Sequence, residues 1–188
     1  MRRDKARIVG DGLWEHAPDE TFLRAMTSDL DSVSIVPLAS RNDASACARI
    51  MCTSEPWLTL KRSYDAAFEI IHDPTREVYT ALHNGDVVGF LILSMQGAFS
   101  GYIQTVAVRD DWRGRGLGTR LIGFAEEKIF RVSPNAFLCV SSFNRRAKNL
   151  YDRLGYETIG EMKDYVVRGH SEWLLRKTIS PVTEFRRK

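Results

Sequence analysis

The sequence predicts a domain of the α/β (α+β) class, a mixed sheet covered by helices. Three observations point there. Strand-like and helix-like patterns follow one another in the order β, α, α, three strands, α, β, α, β, β. An Asn84-Gly85 pair splits two alternating runs into a tight hairpin, because both residues tolerate positive φ. A turn carrying Gly114, Gly116 and Gly118 joins a run of valines to a helix-like run.

The first strand pattern is "SVSIVPL", marked by Val33 and Ile35. In "NDASACARIM", Ala44, Cys47, Ala48 and Met51 stand at i, i+3, i+4 and i+7, which predicts a helix with Asn42 as its cap. "TSEPWLTLKR" is a loop. A second helix starts near Ser63, with Tyr64, Ala67, Phe68 and Ile71 on one face and Pro74 beyond its end. The hairpin occupies "EVYTALHNGDVVGFLILSM", and "GYIQTVAV" is the next strand, running into the glycine turn and a helix with Leu117, Leu121, Phe124 and Ala125. "NAFLCVSSFN" is a largely apolar strand. Ala147, Leu150, Tyr151 and Leu154 then form a helical stripe that stops at Gly155, and "YETIG" and "SEWLLRK" supply the last two strands. The domain is expected over residues 32–179. Residues 1–31 read as a polar appendage, with Met26 as an alternative start, and residues 180–188 as a basic tail.

Composition excludes several function classes. The 188 residues, 44% of them apolar, suit one domain, and a net charge of +3 is too small to imply nucleic acid or an anionic membrane as partner. Cys47, Cys52 and Cys139 are an odd number without C-x-x-C spacing, so neither a disulfide framework nor a metal site is expected. No stretch reaches the roughly 18–20 apolar residues of a membrane helix, and "MRRDKARIVGDG" lacks the apolar region of a signal peptide. A reducing cytoplasm is the expected location. Oligomeric state is not legible.

The glycines sit where a strand hands over to a helix, so their amides can face outward beside the positive end of the helix dipole. Such a turn suits an anion. A P-loop is a poor match, because Gly118 and not Lys precedes Thr119. A dinucleotide fingerprint is equally poor: Thr119 replaces its last glycine, and no Asp or Glu follows at the ribose position. The run Arg113, Gly114, Arg115, Gly116, Leu117, Gly118 instead fits Arg/Gln-x-x-Gly-x-Gly/Ala and resembles the coenzyme A pyrophosphate loop of the GNAT superfamily of acetyl-CoA-dependent N-acetyltransferases. "YIQTVAV" ahead of it and "SSFNRRAKNLYDRLGYE" behind it resemble the same superfamily's central strand and its Asn-x(6)-Tyr helix. The resemblance spans about Val33 to Thr178, and its nearest look is the N-terminal and ribosomal-protein alanine acetyltransferases. It implies the acyl-CoA N-acyltransferase fold, with a mixed, mostly antiparallel central sheet.

The resemblance also implies roles. Backbone groups of Val106, Ala107 and Val108 would pair with acetyl-CoA in the gap beside their strand. Amides of Gly114, Arg115, Gly116, Leu117, Gly118 and Thr119, with the charges of Arg113 and Arg115, would hold its pyrophosphate. Tyr151 would act as general acid on the leaving thiolate, though it also fits an apolar stripe, and Asn144 would bind the cofactor or cap a helix. Relatives of this type carry an acidic residue or His five positions before that Asn, where this chain has Cys139. A direct base is therefore missing from its usual position, and Cys139 within "AFLCV" reads more naturally as a small core residue.

Tyr102 takes the remaining catalytic assignment, because "GYIQT" resembles a strand start in which that tyrosine orients a proton-carrying water. Glu55 and Trp57 in the loop, and Tyr165 in "GEMKDYVVRGH", are candidate acceptor-site residues. His170 and Glu172 have the chemistry of a base or substrate anchor, but Gly-His-Ser-Glu reads first as an exposed turn. The expected reaction is acetyl transfer from acetyl-CoA to a primary amine of a protein or peptide by direct attack. Small amines such as polyamines or aminoglycosides, and a non-catalytic acyl-CoA sensor, are the alternatives.

Overall fold

The structure is a computed structural model that describes residues 8–9, 13–14 and 29–187. Most of the expected appendage, including Met26, lies outside the described residues. Within it, β1 (Ile8–Val9) and β2 (Leu13–Trp14) pair antiparallel. Residues 29–31 are helical and pack on the glycine turn: Leu30 lies 3.4 Å from where a Cβ on Gly116 would stand. That short segment belongs structurally to the domain.

Seven further strands form one sheet in the order β3-β4-β5-β6-β7-β9-β8. These are β3 (Ser34–Pro37), β4 (Glu77–His83), β5 (Asp86–Ser94), β6 (Tyr102–Val108), β7 (Asn135–Ser141), β8 (Glu157–Lys163) and β9 (Ser171–Thr178). Every neighbouring pair is antiparallel except β6 and β7, which run parallel. The sheet is thus mixed and mostly antiparallel, as expected. Asn84 and Gly85 both take positive φ, 51° and 86°, and close the β4–β5 hairpin.

Helices cover both faces. On one, α1 (Arg41–Cys52) and α2 (Tyr64–His72) bury Cys47, Ala48, Met51, Ala67 and Ile71 against Val78, Phe90, Ile92 and Ala107. On the other, α3 (Leu117–Ile129) buries Leu117, Leu121, Ile122, Ala125 and Ile129 against Leu91, Leu93, Ile103 and Leu138. The fourth helix, α4 (Arg145–Arg153), lays Ala147 and Tyr151 on that second core and ends before Gly155, whose φ is +85°.

The cap of α1 differs from expectation. Ser40, and not Asn42, is extended and accepts from Asp43 N–H at 3.0 Å, while its hydroxyl donates to the Asp43 carboxylate at 2.7 Å. This reciprocal pair starts the helix two residues earlier than a cap at Asn42 would. The "NAFLCVSSFN" strand also stops early, at Ser141, because Asn144 N–H turns back onto the Ser141 carbonyl at 2.8 Å.

Candidate active site

β6 and β7 are in register only at Tyr102–Phe137 and Ile103–Leu138, and beyond these pairs they separate. A cleft of about 880 Å³ opens from this split, lined by β6, the glycine turn, α4, the 55–62 loop and the β8–β9 turn. The trio expected to face it divides. Arg109 N–H donates to the Val88 carbonyl at 2.9 Å, and the Ala107 carbonyl lies against Gly89, so odd-numbered residues commit their backbone to β5. Alternation then turns the polar groups of Val106 and Val108 to the gap. Ala107 is core, 2% exposed and packed in the cluster under α1 and α2, with its backbone committed to β5.

At the mouth of the gap, Gly114 and Gly116 hold φ of 78° and 90°, values that only glycine adopts freely. Among the described residues, none of the amides of 114–119 donates a hydrogen bond, so the start of α3 presents a set of free N–H groups beside its dipole. This cradle fits a pyrophosphate. Gly114, Gly116, Gly118 and Thr119 line the cleft, whereas the Leu117 side chain is core and leaves only its amide for the role.

The two arginines separate in the same way. Arg113 lines the cleft, its guanidinium steadied by the Val108 carbonyl at 3.3 Å and Asp110 at 3.0 Å. Arg115 turns away to Asp29 at 3.3 Å, with its charge 5.1 Å from the centre of the Trp112 ring. Asn144 accepts from Ala147 N–H at 3.2 Å and so caps α4 while lining the cleft.

Tyr151 lines the cleft and meets Tyr156 edge-on, ring centres 5.9 Å apart. Burial pushes its phenol up to about 12, so it stays protonated at neutral pH. Tyr102 is raised further, first by burial and then by its contact with the Cys139 thiol, with Tyr165 and Glu172 adding to the effect. Cys139 is itself raised, chiefly by burial, which argues against a reactive thiolate.

At the acceptor end the sequence-chosen residues behave unevenly. Glu55 accepts from Thr59 N–H at 3.2 Å and Thr59 hydroxyl at 3.1 Å, so its carboxylate closes its own loop. Trp57 packs on the α1–α2 core while lining the cleft, and Tyr165, 65% exposed, stands at the rim.

Glu172 overturns the exposed-turn reading. It is only 5% exposed, lines the cleft, and accepts from the Ser141 hydroxyl at 2.5 Å. His170 does lie in the turn, its ring 4.9 Å from that of Phe143. The usable signal was the alternation of "SEWLLRK", which puts Glu172 and Leu174 on one face, but which strand they border is not written locally.

A split parallel pair, an amide cradle at a helix start and a protonated phenol beside both define an acyltransferase of the kind that carries its acyl group on coenzyme A. The comparisons agree. The model of the acetyltransferase (GNAT) family matches residues 44–156, and the chain belongs to that family. It is 26% identical over 133 residues to an N-alpha-acetyltransferase of Sulfurisphaera tokodaii, covering 63% of this chain and 80% of that one. It is 28% identical over 160 residues to the N-alpha-acetyltransferase RimI of Mycobacterium tuberculosis, covering 81% and 96%. Among solved structures, an aminoglycoside 6'-N-acetyltransferase complexed with coenzyme A shares the fold at a TM-score of 0.63 and 18% identity, covering 79% and 98%. The protein is an N-acetyltransferase that uses acetyl-CoA.

Proposed function

We propose that the acceptor is a primary amine of a protein or peptide. The observation that carries this is the charge of the cleft wall. Five arginines, Arg62, Arg76, Arg113, Arg146 and Arg153, line it against two glutamates, Glu55 and Glu172, and Glu55 is already engaged by Thr59. A polyamine or aminoglycoside carries several positive charges and needs several free carboxylates. A single amine at the end of a chain needs one. Tyr165 and Val166, both exposed at the rim, offer apolar contact to such a chain. The N-alpha-acetyltransferases among the relatives support the same reading, and the aminoglycoside enzyme that shares the fold represents its rival.

In this reading the chain's residues divide the work. Val106, Val108 and the 114–119 amides position the thioester, with Arg113 beside the phosphates. The amine attacks directly, without a covalent enzyme intermediate. Tyr151 donates a hydrogen bond to the leaving sulfur, and Tyr102 orients the acceptor end. The three cysteines are free thiols, which supports a reducing compartment such as the cytoplasm as the place of reaction.

Thiol release from acetyl-CoA, measured across N-terminal peptides, lysine peptides, spermidine and an aminoglycoside, tests the proposal. Peptides are expected to give the highest kcat/KM. Turnover of spermidine or the aminoglycoside about tenfold above every peptide would sink it.

A further inference from the structure

We infer that Glu172, a buried carboxylate on β9 that faces the cleft where β6 parts from β7, is the catalytic base. The inference rests on acetyl transfer and not on the identity of the acceptor.

Strand register makes the case. Ser141 faces Glu172 and Cys139 faces Leu174 across β7 and β9, and directly opposed residues share a face. Cys139, Ser141, Leu174 and Glu172 therefore form one patch, and the carboxylate stands diagonally next to the Cys139 thiol. Tyr102 joins the patch through its parallel pairing with Phe137, two residues from Cys139. All three of Tyr102, Cys139 and Glu172 line the cleft where β6 leaves β7.

The carboxylate is set up to take a proton. Ser141 occupies Oε1 at 2.5 Å, and among the described residues Oε2 accepts no hydrogen bond. Burial raises the acid above its usual range, while the Ser141 hydroxyl and the nearby His170 oppose the rise. The other titratable groups facing it are Cys139 on β7 and Tyr102 on β6; on β8 its partner is the neutral Met162. No lysine or arginine pairs with Glu172 among the described residues, so its charge is not spent in a salt bridge.

The step balances. The acceptor nitrogen forms a bond to the thioester carbonyl carbon and the carbon–sulfur bond breaks. The proton leaving nitrogen passes to Glu172, directly or through one water held by Tyr102, and the departing thiolate, steadied by a hydrogen bond from the Tyr151 hydroxyl, takes its proton from solvent. The carboxylic acid then returns its proton to solvent.

The test is kcat against pH at saturating acetyl-CoA, with an N-terminal peptide and with spermidine as acceptors, for the wild type, Glu172→Gln and Ser141→Ala. Glu172→Gln is expected to lower kcat about 10²–10⁴-fold and to remove the acidic limb, while acetyl-CoA affinity stays within about threefold. A carboxyl whose acidity is weakened in the folded state stabilises the protein fully below its unfolded range, and that contribution is lost as pH rises through the folded value. The thermal midpoint of Glu172→Gln should accordingly match or exceed wild type at pH 8 and converge with it in acid. Ser141→Ala removes a hydrogen bond that favours the carboxylate, so its acidic limb should move to higher pH; an amine titration would not move. Retention of the limb in Glu172→Gln overturns the inference. So does an unshifted limb in Ser141→Ala, which decides the matter if Glu172→Gln does not fold. Loss of acetyl-CoA binding together with a lowered thermal midpoint would assign Glu172 a structural role and overturn it as well. Should only spermidine be turned over, the peptide reading fails while the Glu172 limb is still measured.

Discussion

Replacing Tyr151 with Phe removes one hydroxyl from the cleft and leaves the ring on Tyr156 in place. Its phenol lies at about 12 because burial disfavours the tyrosinate, whereas an ordinary thiol of the cysteine type lies at about 8.5. Handing its proton fully to the leaving thiolate would be uphill by about 3.5 units, or about 5 kcal/mol at about 1.36 kcal/mol each. The hydroxyl therefore acts mainly as a hydrogen-bond donor to developing negative charge. Such a bond contributes about 1.5–3 kcal/mol, so Tyr151→Phe should lower kcat by roughly 10- to 150-fold. Stopped-flow or continuous thiol detection at saturating acetyl-CoA reads this, with calorimetry expected to show cofactor affinity unchanged. A loss below about threefold would return Tyr151 to the apolar stripe, and one above about a thousandfold would mean complete proton transfer; either refutes the reasoning.

Three further outcomes follow from the geometry. Gly101→Ala would place a Cβ 2.6 Å from both the Asn135 carbonyl and Ile129 Cγ2 at a φ of 90°, so it should cost about 2–5 kcal/mol and lower the thermal midpoint by roughly 5–20 °C; a shift under about 2 °C contradicts this. Arg113→Ala should weaken acetyl-CoA binding about 10- to 150-fold at low salt, whereas Arg115→Ala, already committed to Asp29 and Trp112, should change it less than about threefold; calorimetry giving the reverse order would refute the division. Burial pushes the Cys47 thiol up to about 12, so iodoacetamide at pH 8 should leave it unmodified in the native protein, and Cys139→Ser should keep kcat within about threefold; peptide mapping and the same thiol assay check both.

The elements that the sequence predicted well are those whose signals are local. Asn84-Gly85 demands a tight turn wherever it lies, and the Ala44, Cys47, Ala48, Met51 stripe has a single face to bury. Where two local signals compete, the spacing misled: Ser40 and Asn42 are both good caps, and the Asp43 side chain that selects Ser40 acts only once the turn has formed. Site residues were legible as far as they lie in the glycine turn and α4. Arg113 and Arg115 cannot be told apart by sequence, because what removes Arg115 is Asp29, 86 positions away. Glu55 carries the charge that an ammonium needs, yet Thr59 four residues on satisfies that charge within the loop.

The split between β6 and β7 explains why the catalytic groups come from distant stretches of chain. A register shift opposite Ile92 and Leu93 leaves Gln104 as an extra residue in β6. Before it, Ile103 points to the α3 core; after it, Thr105 and Ala107 face the other way and Val106 and Val108 return to the α3 core. A regular strand would carry Tyr102, Gln104, Val106 and Val108 on one face and would push both valines out of that core. The bulge keeps Tyr102 on the Cys139–Glu172 patch while the half-buried valines stay packed on the α3 core and turn their backbone edge to the gap. The extra residue, Gln104, has an Oε1 without a hydrogen-bond partner among the described residues. That oxygen belongs to a residue lining the cleft at the very point where the strands part, so the bulge brings an amide acceptor to the place where the cofactor and the amine would meet.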